Sequence, residues 1–469
     1  MRLLPRKFRI LDEKTCDRLH KEALELLRTV GFRVYSRQVR NLLNKAGAKV
    51  DEAAEIVTLP CELVNEAISS FPSEFDIYDL DGRPTRLRKG TIAQTISSYA
   101  EAVAWLDYQA EKLRPSTLDD LEKAVKLADS LPLINKIGAI VTPLDVPASK
   151  QTCASLLAIL NSTRKRLHFG IQNPIQARLI HEAVSTAAPE PSRTKLPCCE
   201  FVCSSISPLV FDKDSAETMT YCIEHNMVPL LAPCPMAGGT SQFSLIGTIF
   251  QQAVENLFLA TAVYAVKPGT PVLWGGAGAA MDMCAADVSY GGIERSIILL
   301  ANIDLAVYYN IPVNSPAGSL DSCLIDAQAG AEKTWTFFTR LLSNAASGIC
   351  IGAVANGRAA SAEQLVIDVD IVKSIIRFSQ GVETNHLEEA ISEIKDVGPG
   401  GNFMSSPATI NLLRKGQEYF YPATFNRSGT HAPSVLERAH EQVETILSEW
   451  KSPVPEGIRS ELEILLARN

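Results

Sequence analysis

The chain has 469 residues, 46% of them hydrophobic and 21% charged, with a formal net charge of −8. That length accommodates a full core, either as one large α/β barrel with additions or as two to three ordinary domains. Charge spread without long runs of one sign excludes an electrostatic case for nucleic acid or an anionic membrane, and points to a small-molecule enzyme.

The basic start, from Met1 to Phe8, has no apolar run followed by small residues, so no signal peptide is expected. Apolar stretches around 257–266 and 297–309 fall short of the roughly 20 residues of a membrane span. Eleven cysteines, among them Cys153, Cys222, Cys323 and Cys350, lie mostly in apolar segments, and their odd number rules out a complete intramolecular disulfide framework. Reduced thiols in a cytoplasmic protein are the expectation.

In chain order, Leu19, Ala23, Leu26, Leu27 and Val30 share one face of a helix capped by Asp12 and ended by Gly31. Further helices are predicted over 36–47 and from Pro60, and short β pieces over 75–78 and 102–106. Residues 1–114 thus read as an N-terminal, mainly helical extension. From 115 to 404 apolar runs beginning near 137, 166, 198, 228, 271, 312 and 348 alternate with helical stretches. Spacing of that size is that of repeated βα units, and predicts an α/β fold of the (β/α)8 TIM-barrel kind, with the eighth strand just before Gly398. No G-x-G-x-x-G follows the first strand, which removes the usual signature of a doubly wound nucleotide-binding fold. Residues 405–469 read as a C-terminal helical segment packed on the barrel.

A barrel places its site at the C-terminal ends of the strands. Those ends supply Thr142, Gln172, Asn173, Ser204, Ser205, Trp274, Asn314 and Ser315, with Asp145, Asp282, Asp321 and Asp326 a little farther on. Small residues at 238–241 and 275–278, Gly275 among them, suggest a mouth wide enough for something bulky. No zinc-ligand spacing and no G-x-S-x-G elbow occurs. Trp274 either turns its indole to the mouth, where the ring face attracts a quaternary ammonium, or packs in the core. Tyr290, Tyr419 and Tyr421 are further ring candidates. Glu255 is a charge among Ala, Val, Leu and Phe, and is either paired, functional or on an exposed helix face. Near the end of the predicted barrel, Gly398, Gly400 and Gly401 give the backbone freedom for a tight loop that Pro399 stiffens.

Taken in order, several motifs resemble the trimethylamine methyltransferase (MttB-like) superfamily of corrinoid-dependent methyltransferases. They are Thr29-Val-Gly-Phe32, Met236-Ala-Gly-Gly-Thr240, Val254-Glu-Asn256, Met281-Asp-Met283, Tyr290-Gly-Gly-x-Glu294, Asp326 to Glu332 and Gly398 to Phe403. The resemblance covers nearly the whole chain. It implies transfer of a methyl group from a quaternary amine, such as glycine betaine, proline betaine or carnitine, to the Co(I) corrinoid of a partner protein. The alternatives are a catalytically silent betaine-binding barrel and a trimethylamine-type demethylase. Founding members carry pyrrolysine; the matching region here, around 317–323, contains ordinary residues. Asn402 stands where relatives often have histidine. The resemblance further implies no tightly bound cofactor and no metal ligands in the chain itself, with the corrinoid coming from its carrier. Glu255 and Trp274 are expected near the ammonium, Asp282 and Tyr290 around the pocket, and Gly275, Asn314 and Asn402 against substrate. Asp326, Gln328 and Glu332 either order a loop and helix start or touch substrate. A homo-oligomer is also expected, from apolar helices near each terminus.

Overall fold

A computed structural model describes residues 8–88, 95–188, 198–343, 345, 347–382, 384–404, 406–415, 419–427 and 432–468. Most of the basic start, 1–7, and Ser405, where the C-terminal segment was placed, lie outside them.

Eight parallel strands close into a barrel. In chain order they are β1 (Thr95–Ser98), β2 (Lys136–Ile137), β3 (Arg166–Phe169), β4 (Cys199–Cys203), β5 (Val228–Leu231), β6 (the bridge residues Leu273 and Trp274), β7 (Asn314–Ala317) and β8 (Ser347–Cys350). Neighbours pair in sequence, and β8 pairs with β1 through Ile349↔Ile96 and Cys350↔Ser97. The seam at β6 is carried by the bridges Leu230↔Leu273 and Trp274↔Val313. Each strand is followed by a helix: α1 (Leu118–Ser130), α2 (Gln151–Leu160), α3 (Pro174–Ala187), α4 (Lys213–Glu224), α5 (Leu245–Val266), α6 (Ile293–Tyr308), α7 (Ala327–Leu341) and α8 (Ala362–Gln380).

Seven strands fall at the predicted runs; the remaining one does not. The segment before Gly398 is a helix, Leu387–Val397, which buries no residue. Thr95–Ser98 fills the gap instead, so the barrel begins ahead of residue 115, inside the stretch read as an extension. Thr-Ile-Ser-Ser offers one apolar side chain, too little for a pattern to register.

The N-terminal helices Glu13–Thr29, Arg37–Lys45 and Cys61–Ser70 all pack on α5, and Phe32 stacks on Phe258 with centroids 3.9 Å apart. This covering explains why α5 is mostly apolar with no polar outer face, its buried Gln252, Glu255 and Asn256 being exceptions, as expected of a helix covered on most sides. A hairpin of Glu74–Tyr78 and Pro84–Arg88 closes the N-terminal end of the barrel, where Phe75, Ile77 and Leu87 meet Val228, Leu230 and Leu273. Of the C-terminal helices, Val435–Glu449 packs on α8 and α1, and Glu456–Ala467 on α2 and α3. With one end plugged, the chemistry is left to the other. No helix among the described residues is long and apolar enough to cross a membrane.

Candidate active site

At the open end the chain turns from β1 through Tyr99 and Glu101. Glu101 takes φ 51°, a left-handed backbone that costs a non-glycine residue on the order of 1 kcal/mol. Its amide donates to the Ala139 carbonyl at 2.9 Å, and its carboxylate accepts from the Tyr99 hydroxyl and the Gly170 amide. Burial raises this carboxyl to about 7, against the two hydrogen bonds that lower it. The fit is close: a Cβ on Gly170 would stand 2.5 Å from Tyr99 Oη and 2.6 Å from Glu101 Oε2. Glu101 also lines a cavity of about 590 Å³ with Thr142, Gln151, Gly170, Gln172 and Gln176.

Below Tyr99 runs a buried polar ladder. The Tyr99 ring meets His168 edge-on at 4.2 Å, His168 Nδ1 lies 3.6 Å from Glu200 Oε2, and Lys136 Nζ donates to the same oxygen at 2.7 Å. Burial alone would raise Glu200, but the Lys136 ammonium and the His168 ring hold it at about 2. Burial and Lys136 push His168 below its ordinary value, against the Glu200 carboxylate that raises it.

Tyr290, after β6, holds the opposite side. Its hydroxyl lies 4.0 Å from Cys234 Sγ, the Arg295 guanidinium sits 4.4 Å from its ring centroid, and burial raises its hydroxyl to about 12. Its backbone is fixed by a relay. Gln328 Nε2 donates to Glu332 Oε1 at 2.8 Å, Glu332 Oε2 accepts the Asp321 amide at 2.7 Å, and Asp321 Oδ1 accepts the amides of Tyr290 and Gly291, each at 2.7 Å. Asp326 caps α7 by accepting the Ala329 amide at 2.8 Å and also takes the Ser322 hydroxyl. Asp326 thus orders the start of α7, while Gln328 and Glu332 act through Asp321 on the loop that carries Tyr290.

Other expected residues are placed elsewhere. Trp274 is 0% exposed; its Nε1 donates to Asn302 Oδ1 at 2.9 Å and its ring lies 4.9 Å from Tyr309, so it points into the helix layer and cannot cage a substrate cation. Gly275 accepts from Asn256 and Asn302 on its carbonyl, which stitches β6 to α5 and α6. Glu255 is buried and already accepts from Ser205 (2.8 Å), Ser207 (2.7 Å), Gln251 (2.9 Å) and the Leu209 amide (3.4 Å), which anchors the loop after β4 and leaves it no need of a ligand. Asp282 is exposed and closes a turn through the amides of Cys284 and Ala285. Asn314 is buried with Oδ1 unpartnered among the described residues. Asn402 is exposed and accepts the Met404 amide two residues on.

Tyr99, Glu101, Cys234 and Arg295 were not anticipated. Glu101 was hidden because β1 was. Arg295 carries a sequence signal: it follows the Tyr290-Gly-Gly-x-Glu294 motif and is a charge opening an apolar helix, as Glu255 is a charge within one. Around the mouth, loops after β4 to β7 expose Ile206, Phe243, Met283 and Leu324, and the first turn of α5 exposes Ile246. A Cβ on Gly238 would lie 2.8 Å from Met283 Sδ and 3.0 Å from Phe243, so part of that rim is one contiguous apolar patch.

A parallel eight-stranded barrel whose open end gathers a desolvated carboxylate, two tyrosines and a buried guanidinium is a small-molecule enzyme of the TIM-barrel class. The model of the family described as trimethylamine methyltransferase (MTTB) matches residues 2–469, and the chain belongs to that family. It is 27% identical to the glycine betaine methyltransferase of Desulfitobacterium hafniense (strain Y51), over 99% of this chain and 98% of that protein. It is 25% identical to the trimethylamine methyltransferase MttB of D. hafniense (strain DSM 10664 / DCB-2), over 96% and 91%. It is 24% identical to the proline betaine:corrinoid methyltransferase of Eubacterium limosum, over 93% and 92%. Among solved structures, the Methanosarcina barkeri monomethylamine methyltransferase MtmB shares the fold, with a TM-score of 0.55 at 13% identity, over 93% of this chain and 88% of that one.

Proposed function

We propose that the protein takes a methyl group from a quaternary amine and delivers it to the corrinoid of a separate carrier protein. The observation that carries this reading is the desolvated Glu101 carboxylate beside Tyr99 at the mouth of a barrel in this family. A quaternary ammonium has no N–H to donate, so it is recognised by charge and by ring faces, which this corner supplies. Relatives named for glycine betaine and proline betaine, matched nearly end to end, support the same class of substrate.

The residues also fit a carrier-borne macrocycle. The rim of Ile206, Phe243, Met283 and Leu324 is apolar and exposed around the mouth, where a flat ring and its protein would be received. When its carrier docks, the corrinoid supplies the nucleophile that accepts the methyl, and a neutral tertiary amine departs. Because that leaving group is already neutral, the chain need donate no proton. Its contribution is to orient the ammonium through Glu101, to hold Tyr290 by the Asp321 relay, and to exclude water. Incubation with glycine betaine and a reduced corrinoid is expected to release dimethylglycine in equal amount to the corrinoid methylated, detected by mass spectrometry. Loss of betaine with no matching tertiary amine would refute the reaction.

A further inference from the structure

The segment from Phe378 to Tyr421 is under a tenth of the chain, yet it holds 11 of the 26 large hydrophobic side chains that are exposed among the described residues. Scattered singly, such side chains need no explanation; gathered in one segment they mark an interaction surface. The helix Leu387–Val397 shows of what kind. Leu387, Ala390, Ile391, Ile394 and Val397 recur at the helical period and form one apolar stripe, with Leu387 and Ile394 each 60% exposed. None of its 11 residues is buried. A helix of that length is marginal by itself in water, so the stripe needs a surface that this chain does not give it.

A matching surface lies a few residues earlier in the chain. Two hollows of about 600 Å³ each run along α8 and meet at Ser374 and Phe425. Ile367, Ile371 and Ile375 line the first, and Phe378, Val382 and Phe420 the second. No residue of the helix Leu387–Val397 and no residue of a strand lines either, so the groove is open to another occupant and lies outside the ring of strands, away from the substrate. At a helical rise of 1.5 Å per residue, α8 gives the groove roughly 21 Å from Gln364 to Phe378, which accommodates the roughly 16 Å of the exposed helix. The charges match too. Arg377 and Arg427 line the second hollow, and no carboxylate does among the described residues. The helix carries Glu388, Glu389, Glu393 and Asp396 against the single Lys395, with Glu388 and Glu393 bordering the stripe on its two sides.

We infer that this helix of one copy lies in the α8 groove of a second copy, while the second copy's helix lies in the groove of the first. An amphipathic helix in an apolar groove is a common mode of recognition. Because one segment carries both halves, exchange across a two-fold axis satisfies both at once and closes the assembly. The mouth stays free in such a dimer, so the rim remains available to a carrier.

Sedimentation velocity of the full-length protein at micromolar concentration tests the interface. The native protein is expected at twice the 51.0 kDa of one chain. Two double variants change only exposed side chains: Ile391→Glu with Ile394→Glu on the helix, and Phe378→Glu with Val382→Glu in the groove. Each is expected to weaken association at least about 100-fold and to sediment as a monomer, with cooperative thermal unfolding retained. Mixed together at raised concentration, the two variants are expected to associate one to one, because the intact helix of the groove variant meets the intact groove of the helix variant. A misfolded variant would not restore association in this way. A monomeric native protein, or variants that keep the native mass, would overturn the interface. Two monomeric variants that stay apart when mixed would overturn the pairing of helix with groove, since that is the result of each helix packing on its own counterpart across the axis.

Discussion

At the scale of single residues, the account turns on Glu101. Its carboxyl sits near 7 because burial disfavours the charge, so a bound ammonium and a proton compete for it. Affinity for a quaternary amine should be level above about pH 8 and fall about tenfold per pH unit below 6, as the carboxylate is neutralised. In Glu101→Gln that pH dependence should vanish, with affinity for tetramethylammonium about 10- to 100-fold weaker, measured by calorimetric titration at several pH values. The same raised value has a sign for stability: the folded chain holds this proton more tightly than the unfolded one, so this group's contribution falls as pH rises from about 4.5 through 7. Trp274 makes the opposite prediction. Trp274→Phe removes the bond to Asn302 and should lower stability by about 1–3 kcal/mol in denaturant unfolding, with affinity for quaternary amines unchanged. Unchanged stability with lost binding would restore Trp274 to the pocket. Residue chemistry was only partly legible. Tyr290 is marked by its motif, whereas Trp274 and Glu255 stand out in the sequence but give no sign of the partners, Asn302 and the serines after β4, that bury them.

Between residue and fold stand the elements that position the site. The relay from Gln328 through Glu332 and Asp321 joins the start of α7 to the loop before α6, elements separated in sequence but adjacent in the barrel. Asp321→Ala releases two backbone amides and the Ser289 hydroxyl together. It should raise KM for the methyl donor severalfold with a smaller change in kcat, because it loosens Tyr290 without touching the transferred methyl. A fall in kcat with KM unchanged would assign Asp321 to the chemical step instead. At this scale the sequence was most informative where a strand was apolar and followed by a helix. Helix starts were plain from Asp12 and Asp326, each of which accepts the amide that its position demanded. The strand Thr95–Ser98 was not plain, since pairing on both sides by β8 and β2, rather than its own composition, makes it a strand. The amphipathic helix Leu387–Val397 imitated the end of a barrel by preceding a glycine-rich turn.

For the whole molecule, the plugged N-terminal end and the open C-terminal end give the barrel a direction. Hairpin residues Phe75, Ile77 and Leu87 shut one end, and the exposed Phe243 (65%) and Met283 (59%) mark the rim of the other. Paired substitution of Phe243→Asp and Met283→Asp should slow methyl transfer to a corrinoid on its carrier at least about tenfold while sparing transfer to free cobalamin, since only the former needs the rim. Equal slowing of both would place those residues in the pocket rather than at a docking surface. The most direct test of the account is the absorbance change of reduced cobalamin when the protein is supplied with glycine betaine, proline betaine, carnitine or trimethylamine. Methylation from at least one of the carboxylated quaternary amines, with trimethylamine inert, is the predicted result; binding of these amines with no methylation from any of them, or methylation from trimethylamine alone, would contradict it.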